Sequence, residues 1–193
     1  MSAKNILMIV GDFGEDYEIM VPFQALAAVG HRVHAVCPDK VAGDVIATAI
    51  HDFEGDQTYT EKRGHNFALN ASFAEIRPEN YDVLVIPGGR APEYLRLNPA
   101  VIELVRHFFT ANKPVAAICH APWELVSAGL VRGRTLTSYH TLQDDIRNAG
   151  GNWLDQEVVE DGNWVTSRQP GDLPAFNRAM LRLFSRSLVP SGK

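Results

Sequence analysis

Residues 115–123 read Val115-Ala-Ala-Ile-Cys-His-Ala-Pro-Trp123. The unbroken apolar run 115–118 has the character of a strand buried on both faces of a parallel sheet. Proline at 122 suits the first turn of a helix, where its missing N–H is no loss. The spacing therefore predicts a strand that turns tightly at Cys119 into a helix, a nucleophile elbow with sulfur in place of oxygen. A thiol facing the positive end of a helix is expected to have a lowered pKa and to react as the thiolate. A buried structural cysteine is the plainer alternative; the strand-Cys-His-helix context favours the reactive thiol.

Outward from this segment, strands and helices alternate. Apolar strands are expected at 5–10 (NILMIV), 32–37 (RVHAVC) and 81–86 (YDVLVI). Helical patterns cover 19–29, stopped by Gly30, then 100–111, 122–128, 142–149 and 174–184. Between the last two, 157–167 reads as a hairpin turning at Asp161-Gly162. This order implies an α/β fold: a doubly wound parallel sheet with helices on both faces. Ligands in such folds bind beyond the carboxyl ends of the strands, where 11–18, 87–93 and Cys119-His120 all fall. The segment 42–73 interrupts the alternation and reads as a β-excursion with an extended loop. Its His51, Asp52, Glu54, Asp56 and His65 match neither zinc nor EF-hand spacing. The expectation is no metal, and a solvated or interface loop. The tail 187–193 is expected to fray.

A chain of 193 residues suits one domain, 1–193, with a full core. It is 46% hydrophobic and 21% charged with a net charge of -5, which points to neither nucleic acid nor an anionic membrane as a partner. Two cysteines, Cys37 and Cys119, fit a reducing compartment rather than a disulfide scaffold. The start Met1-Ser-Ala-Lys4 runs into a strand without signal-peptide character, and no apolar run reaches membrane-spanning length. A cytoplasmic protein is expected.

Several residues are suited to chemistry. Glu15 lies in Phe13-Gly-Glu-Asp-Tyr-Glu18, after the first strand. A carboxylic acid beside a thiolate has a raised pKa, donates to sulfur and shuttles protons. Equally, Glu15, Asp16 and Glu18 suit the first turn of a helix for electrostatic reasons. Gly88 and Gly89 can present unobstructed N–H groups, which with that of His120 would form an oxyanion hole. His120 is expected to diverge from its own cysteine, giving electrostatic support or meeting Glu93. His31, His34, His107 and His140 read as structural or surface residues, and Cys37 as inert.

The chain resembles the ThiJ/PfpI superfamily, which includes the Parkinsonism-associated protein deglycase and the PfpI intracellular protease. The resemblance rests on Gly14-Glu-Asp-Tyr-Glu18, Pro87-Gly-Gly-Arg-Ala-Pro-Glu93, Ala117-Ile-Cys-His120, Gly133-Arg134, Asp161-Gly-Asn-Trp-Val165 and Asp172-Leu-Pro-Ala-Phe176. The segment 51–62 further resembles plant members described as glutathione-independent glyoxalases. The resemblance implies a flavodoxin-like fold, dimers or larger oligomers, and Cys119 as nucleophile. It also implies Glu15 as the acid touching sulfur, Gly88, Gly89 and His120 as oxyanion donors, and Tyr139 in the pocket. In the PfpI-like branch the acid matching Glu93 reaches His120 from a neighbouring subunit. The chain departs from the pattern at Ala121, where glycine is more common, and at Trp123. A positive φ at 121 would store ~1 kcal/mol in alanine; a helical backbone is the expectation. Trp123 is expected to narrow the pocket against peptides.

The activity first implied is that of a cofactor-free glyoxalase III or deglycase, converting methylglyoxal or its amine and thiol adducts to lactate. An intracellular cysteine peptidase or amidase using Cys119, His120 and Glu93 is the second reading. An oxidative-stress sensor or chaperone is the third.

Overall fold

The computed structural model describes residues 3–185; the expected fraying of 187–193 lies outside them. Strand β1 (Asn5–Ile9) leads to α1 (Asp16–Ala28) and β2 (Arg32–Val36). The hairpin β3 (Val45–Ile50) and β4 (Lys62–Ala68) follows. Then come β5 (Val83–Ile86), α2 (Ala91–Leu95), α3 (Pro99–Thr110), β6 (Val115–Ile118) and α4 (Pro122–Ser127). The remainder is β7 (Thr135–Leu136), α5 (Gln143–Asn148), β8 (Asn152–Trp153), β9 (Val158–Asp161), β10 (Trp164–Ser167) and α6 (Leu173–Ser185).

Six strands form the main sheet in the order β2-β1-β5-β6-β10-β9. All neighbours pair in parallel except β9 with β10. Every residue of β5, β6 and β10 is buried, which is why these segments carry no polar alternation. Helix α1 packs with α6, and α3 with α4, giving the two helical layers of a flavodoxin-like fold. The expected hairpin turn at Asp161-Gly162 is present, with Gly162 at φ 61, and it delivers β10 into the sheet beside β6. No helix among the described residues is long and apolar enough to cross a membrane.

The first helix begins at Asp16, three residues before the apolar pattern begins. Glu15 caps it, Oε2 accepting from the Glu18 N–H at 2.8 Å. Its first turn buries Asp16 and Glu18, so a hydrophobic pattern does not mark its start. The chain order reverses at β1, which β2 and β5 flank, and the loops after β1 and β5 meet beyond the strand ends. There the Glu15 N–H donates to the Gly88 carbonyl at 3.2 Å, and Arg90 N–H to the Phe13 carbonyl at 2.9 Å. The β3–β4 hairpin docks on the same loop, with Ala49 N–H donating to the Gly14 carbonyl at 2.8 Å. The 42–73 excursion is thus joined to the switch point through its hairpin, while its loop 52–58 is exposed, as expected of a solvated loop.

Candidate active site

Cys119 follows β6 directly and occupies the left-handed region, φ 63. That conformation is rare for a residue with a Cβ and costs about 1–2 kcal/mol. It is held by Cys119 N–H donating to the Ser167 carbonyl at 3.0 Å and Tyr139 N–H donating to the Cys119 carbonyl at 2.8 Å. Ala121 is helical, φ -53, and α4 starts at Pro122, so the elbow geometry expected from 115–123 is present. The sulfur's environment differs from expectation. Burial pushes the Cys119 thiol well up, and the neighbouring Glu18 adds to that rise. The N–H groups of Gly89 and His120 act in the opposite sense, favouring the thiolate. Helix α4 has six residues, and burial is the largest of the effects on the thiol.

The carboxyl acting on the thiol is Glu18, not Glu15. Glu18 is fully buried, and its Oε2 accepts from the Gly88 N–H at 2.9 Å. Burial, then the charge of Glu15, pushes its carboxyl well up. Glu15 is turned toward its own helix, which it caps, and lines the cavity beside the thiol. Burial raises Glu15 to about 7. Asp16 is spent elsewhere. Despite burial its carboxyl is lowered, because the Thr48 hydroxyl and the His65 N–H and ring bond to it.

Gly88 has no room for a side chain: a Cβ there would lie 2.5 Å from Cys119 Cβ and 2.6 Å from Glu18 Oε2. Its N–H is committed to Glu18, so of the three expected oxyanion donors only those of Gly89 and His120 are directed to the sulfur site. Gly89 has φ 77, and a Cβ on it would meet the Glu15 backbone.

His120 does not diverge from its cysteine: Nδ1 lies 3.1 Å from Sγ. Its ring stacks on Tyr139, centroids 4.9 Å apart, and burial lowers its pKa to about 4, so the imidazole is neutral near pH 7. Tyr139 lines the cavity, with burial raising its hydroxyl to about 12. Trp123 is not part of the cavity wall. Its ring leans on His120 at 5.1 Å and its Nε1–H donates to Asp145 at 2.8 Å. Glu93 is exposed in α2 and is not brought to His120 within the chain. Cys37 is buried, and burial raises its thiol to about 11.

The cavity has a volume of about 240 Å³. Besides Glu15, Gly89, Cys119, His120 and Tyr139, its wall includes His51, Asp52, Phe53 and Tyr59 from the excursion, and 169–171 beyond β10. Neither group was expected in the wall. The second had a legible signal, since it follows the carboxyl end of a parallel strand. The first had none, because its placement depends on how the hairpin docks. His51 pairs with Glu61 and His65 with Asp16. No group of three His, Cys, Asp or Glu among the described residues is arranged to hold a metal.

A family model for the DJ-1/PfpI family matches residues 4–183. Protein DJ-1 homolog D of Arabidopsis thaliana is 49% identical over 184 residues, covering 93% of this chain and 47% of its own. The chain thus spans about half the length of that relative. Deglycase PfpI of Pyrococcus furiosus is 43% identical over 179 residues, 93% of this chain and 98% of its own. The crystal structure of Drosophila melanogaster DJ-1beta is similar with a TM-score of 0.78 at 26% identity, covering 93% of this chain and 89% of that one.

Proposed function

This chain belongs to the DJ-1/PfpI family, and from that premise we propose that it is a cofactor-independent enzyme of the deglycase and glyoxalase III type. Its substrate is methylglyoxal, free or released from amine and thiol adducts, and its product is lactate. Relatives named as deglycases support the deglycase class. The observation that carries the finer reading is a thiol in a small cavity with two carboxyls of raised pKa, one at the sulfur and one in the wall. About 240 Å³ is below the ~300–1,000 Å³ usual for drug-sized ligands and suits a small carbonyl compound.

The chemistry divides between the two acids. The Glu18 carboxylate takes the thiol proton as sulfur adds to the aldehyde carbon and passes that proton to the oxygen formed there, giving a hemithioacetal. Glu15, titrating near 7, removes the proton from C1 and returns it to C2, which converts the hemithioacetal to a lactoyl thioester. Water then releases lactate. The active form is an oligomer in which Glu93 meets the neighbour's His120.

The test is lactate production from methylglyoxal without glutathione, for wild type, Cys119→Ala and Glu15→Gln. Wild type should turn over, Cys119→Ala should not, and Glu15→Gln should fall by at least ~100-fold. No lactate from wild type overturns the reading; near-normal turnover by Glu15→Gln removes that residue from it. One observation favours a cysteine peptidase or amidase instead: the His120 ring 3.1 Å from Sγ. Cysteine-dependent cleavage of a fluorogenic peptide, without lactate release, would support that alternative.

A further inference from the structure

The wall of the cavity is largely aromatic. His120 and Tyr139 contribute rings beside the thiol, and His51, Phe53 and Tyr59 contribute rings from the 42–73 excursion. These rings touch in series from the sulfur outward. His120 Nδ1 lies 3.1 Å from Sγ, and its ring stacks on Tyr139 at 4.9 Å. Tyr59 stands edge-on to Tyr139 at 5.7 Å and to Phe53 at 6.2 Å. Phe53 ends the series with 63% of its surface exposed. An exposed phenyl ring in a cavity wall offers apolar area that an occupant can remove from water.

The loop that carries Phe53 is pinned at its base. The Asp52 carbonyl accepts from the Thr60 N–H at 2.8 Å and from the Thr60 hydroxyl at 3.1 Å. Next in the chain, Glu61 is gripped by Arg90 from the loop after β5, with Nη2 2.7 Å from Oε1. Phe53 is therefore held at the cavity by contacts that do not involve its own ring.

Methylglyoxal makes little use of such a wall, because its single methyl group covers one ring at most. The cavity of about 240 Å³ has room for roughly eight waters at their ~30 Å³ share of the liquid, more than that molecule fills. The carboxyls of Glu15 and Asp52 share the wall and disfavour an anionic substituent. The group that fits is uncharged, apolar and flat enough to lie against rings.

We propose that the excursion fits this site to 2-oxoaldehydes that carry an uncharged aryl group in place of the methyl, with Phe53 and Tyr59 as specificity-determining residues; this rests on the thiol-based reading above. The aldehyde carbon bonds to the Cys119 sulfur as with methylglyoxal, and the aryl group on C2 lies against the two rings. The hydrogen on C1 moves to C2, and water cleaves the thioester with the electron pair of the carbon–sulfur bond going to sulfur. Phenylglyoxal and water thus give mandelate, with no external oxidant or reductant.

The test compares initial rates with phenylglyoxal and methylglyoxal, without glutathione, for wild type, Phe53→Ala and Phe53→Leu. Wild type should favour phenylglyoxal at least ~10-fold in kcat/KM, the lower end of what apolar pocket contacts supply. Phe53→Ala should reduce that preference at least ~10-fold, mainly by raising KM for phenylglyoxal, and Phe53→Leu should restore part of it. A folding defect would lower both kcat/KM values together and leave their ratio at the wild-type value; that result overturns the assignment. Equal use of the two substrates by wild type overturns it as well, while lactate release from methylglyoxal leaves the thiol chemistry standing. A wild type that turns over neither substrate sinks the parent reading, and this specificity with it.

Discussion

At the scale of single residues, the site depends on which of three nearby acids faces the sulfur. Glu15, Asp16 and Glu18 are alike in sequence, and the choice among them is set by where α1 begins. The residue just outside the helix turns back to cap it, and the third residue inside is directed at the sheet. Glu18 therefore reaches the Cys119 thiol, while Glu15 stays in the cavity wall. Gly88 makes this approach possible, since Cys119 and Glu18 both border the space a side chain would occupy. Gly88→Ala should thus destabilise the fold by roughly 1–3 kcal/mol, the usual scale of overpacking, and displace Glu18 from the thiol. Urea unfolding and methylglyoxal turnover would read the two effects. A variant with the wild-type midpoint and rate would show that the loop yields at no cost.

At the scale of elements, α4 carries a feature outside the proposed chemistry. Glu124, one turn past the elbow, is fully buried and neither of its oxygens has a partner among the described residues. Burial raises its carboxyl to about 8. A carboxyl whose folded pKa exceeds its unfolded value binds more protons in the folded state, so stability falls as pH rises through the folded pKa. The loss begins above the ordinary carboxylate range and is complete above about 8. Between pH 6 and pH 9 the wild type should therefore lose roughly 2–3 kcal/mol more stability than Glu124→Gln, which cannot ionise. Parallel curves for the two proteins in urea titrations at both pH values would show that Glu124 does not ionise over this range. The excursion teaches a second lesson at this scale. Its polar composition reads as a solvated loop, yet its hairpin hydrogen-bonds to the switch loop and its aromatic residues wall the cavity. Composition reports what a segment tolerates on its outer side, not what it covers.

At the scale of the molecule, His120 has its sulfur neighbour but no carboxylate partner among the described residues. Glu93 is exposed on α2, as a residue serving another chain would be. A two-fold assembly in which each chain lends its Glu93 to the other meets the need of both sites. Mixing Cys119→Ala with Glu93→Ala under subunit exchange should then restore activity above either parent. One site of the mixed dimer would combine an intact thiol with an intact neighbouring Glu93. Demonstrated exchange without recovery, or full activity of Glu93→Ala alone, would rule the shared site out.

The sequence by itself determined the parallel strands and the elbow, because both are local. Runs such as 115–118 suit burial on both faces of a sheet, and Pro122 suits the first turn of a helix. It also brought Gly89 and Cys119 to one end of the sheet, since strand order and alternation place them there, whereas Tyr139 was expected in the pocket only through the family resemblance. Tertiary structure alone decided the rest. The Glu18–Cys119 contact, the commitment of the Gly88 N–H, the inward turn of His120 and the docking of His51 each join segments or rotamers that no periodicity encodes. The thiol pKa belongs to the same class. A helix N-terminus favours the thiolate, but the depth at which the fold buries sulfur beside a carboxyl is a property of packing, and here burial is the larger effect.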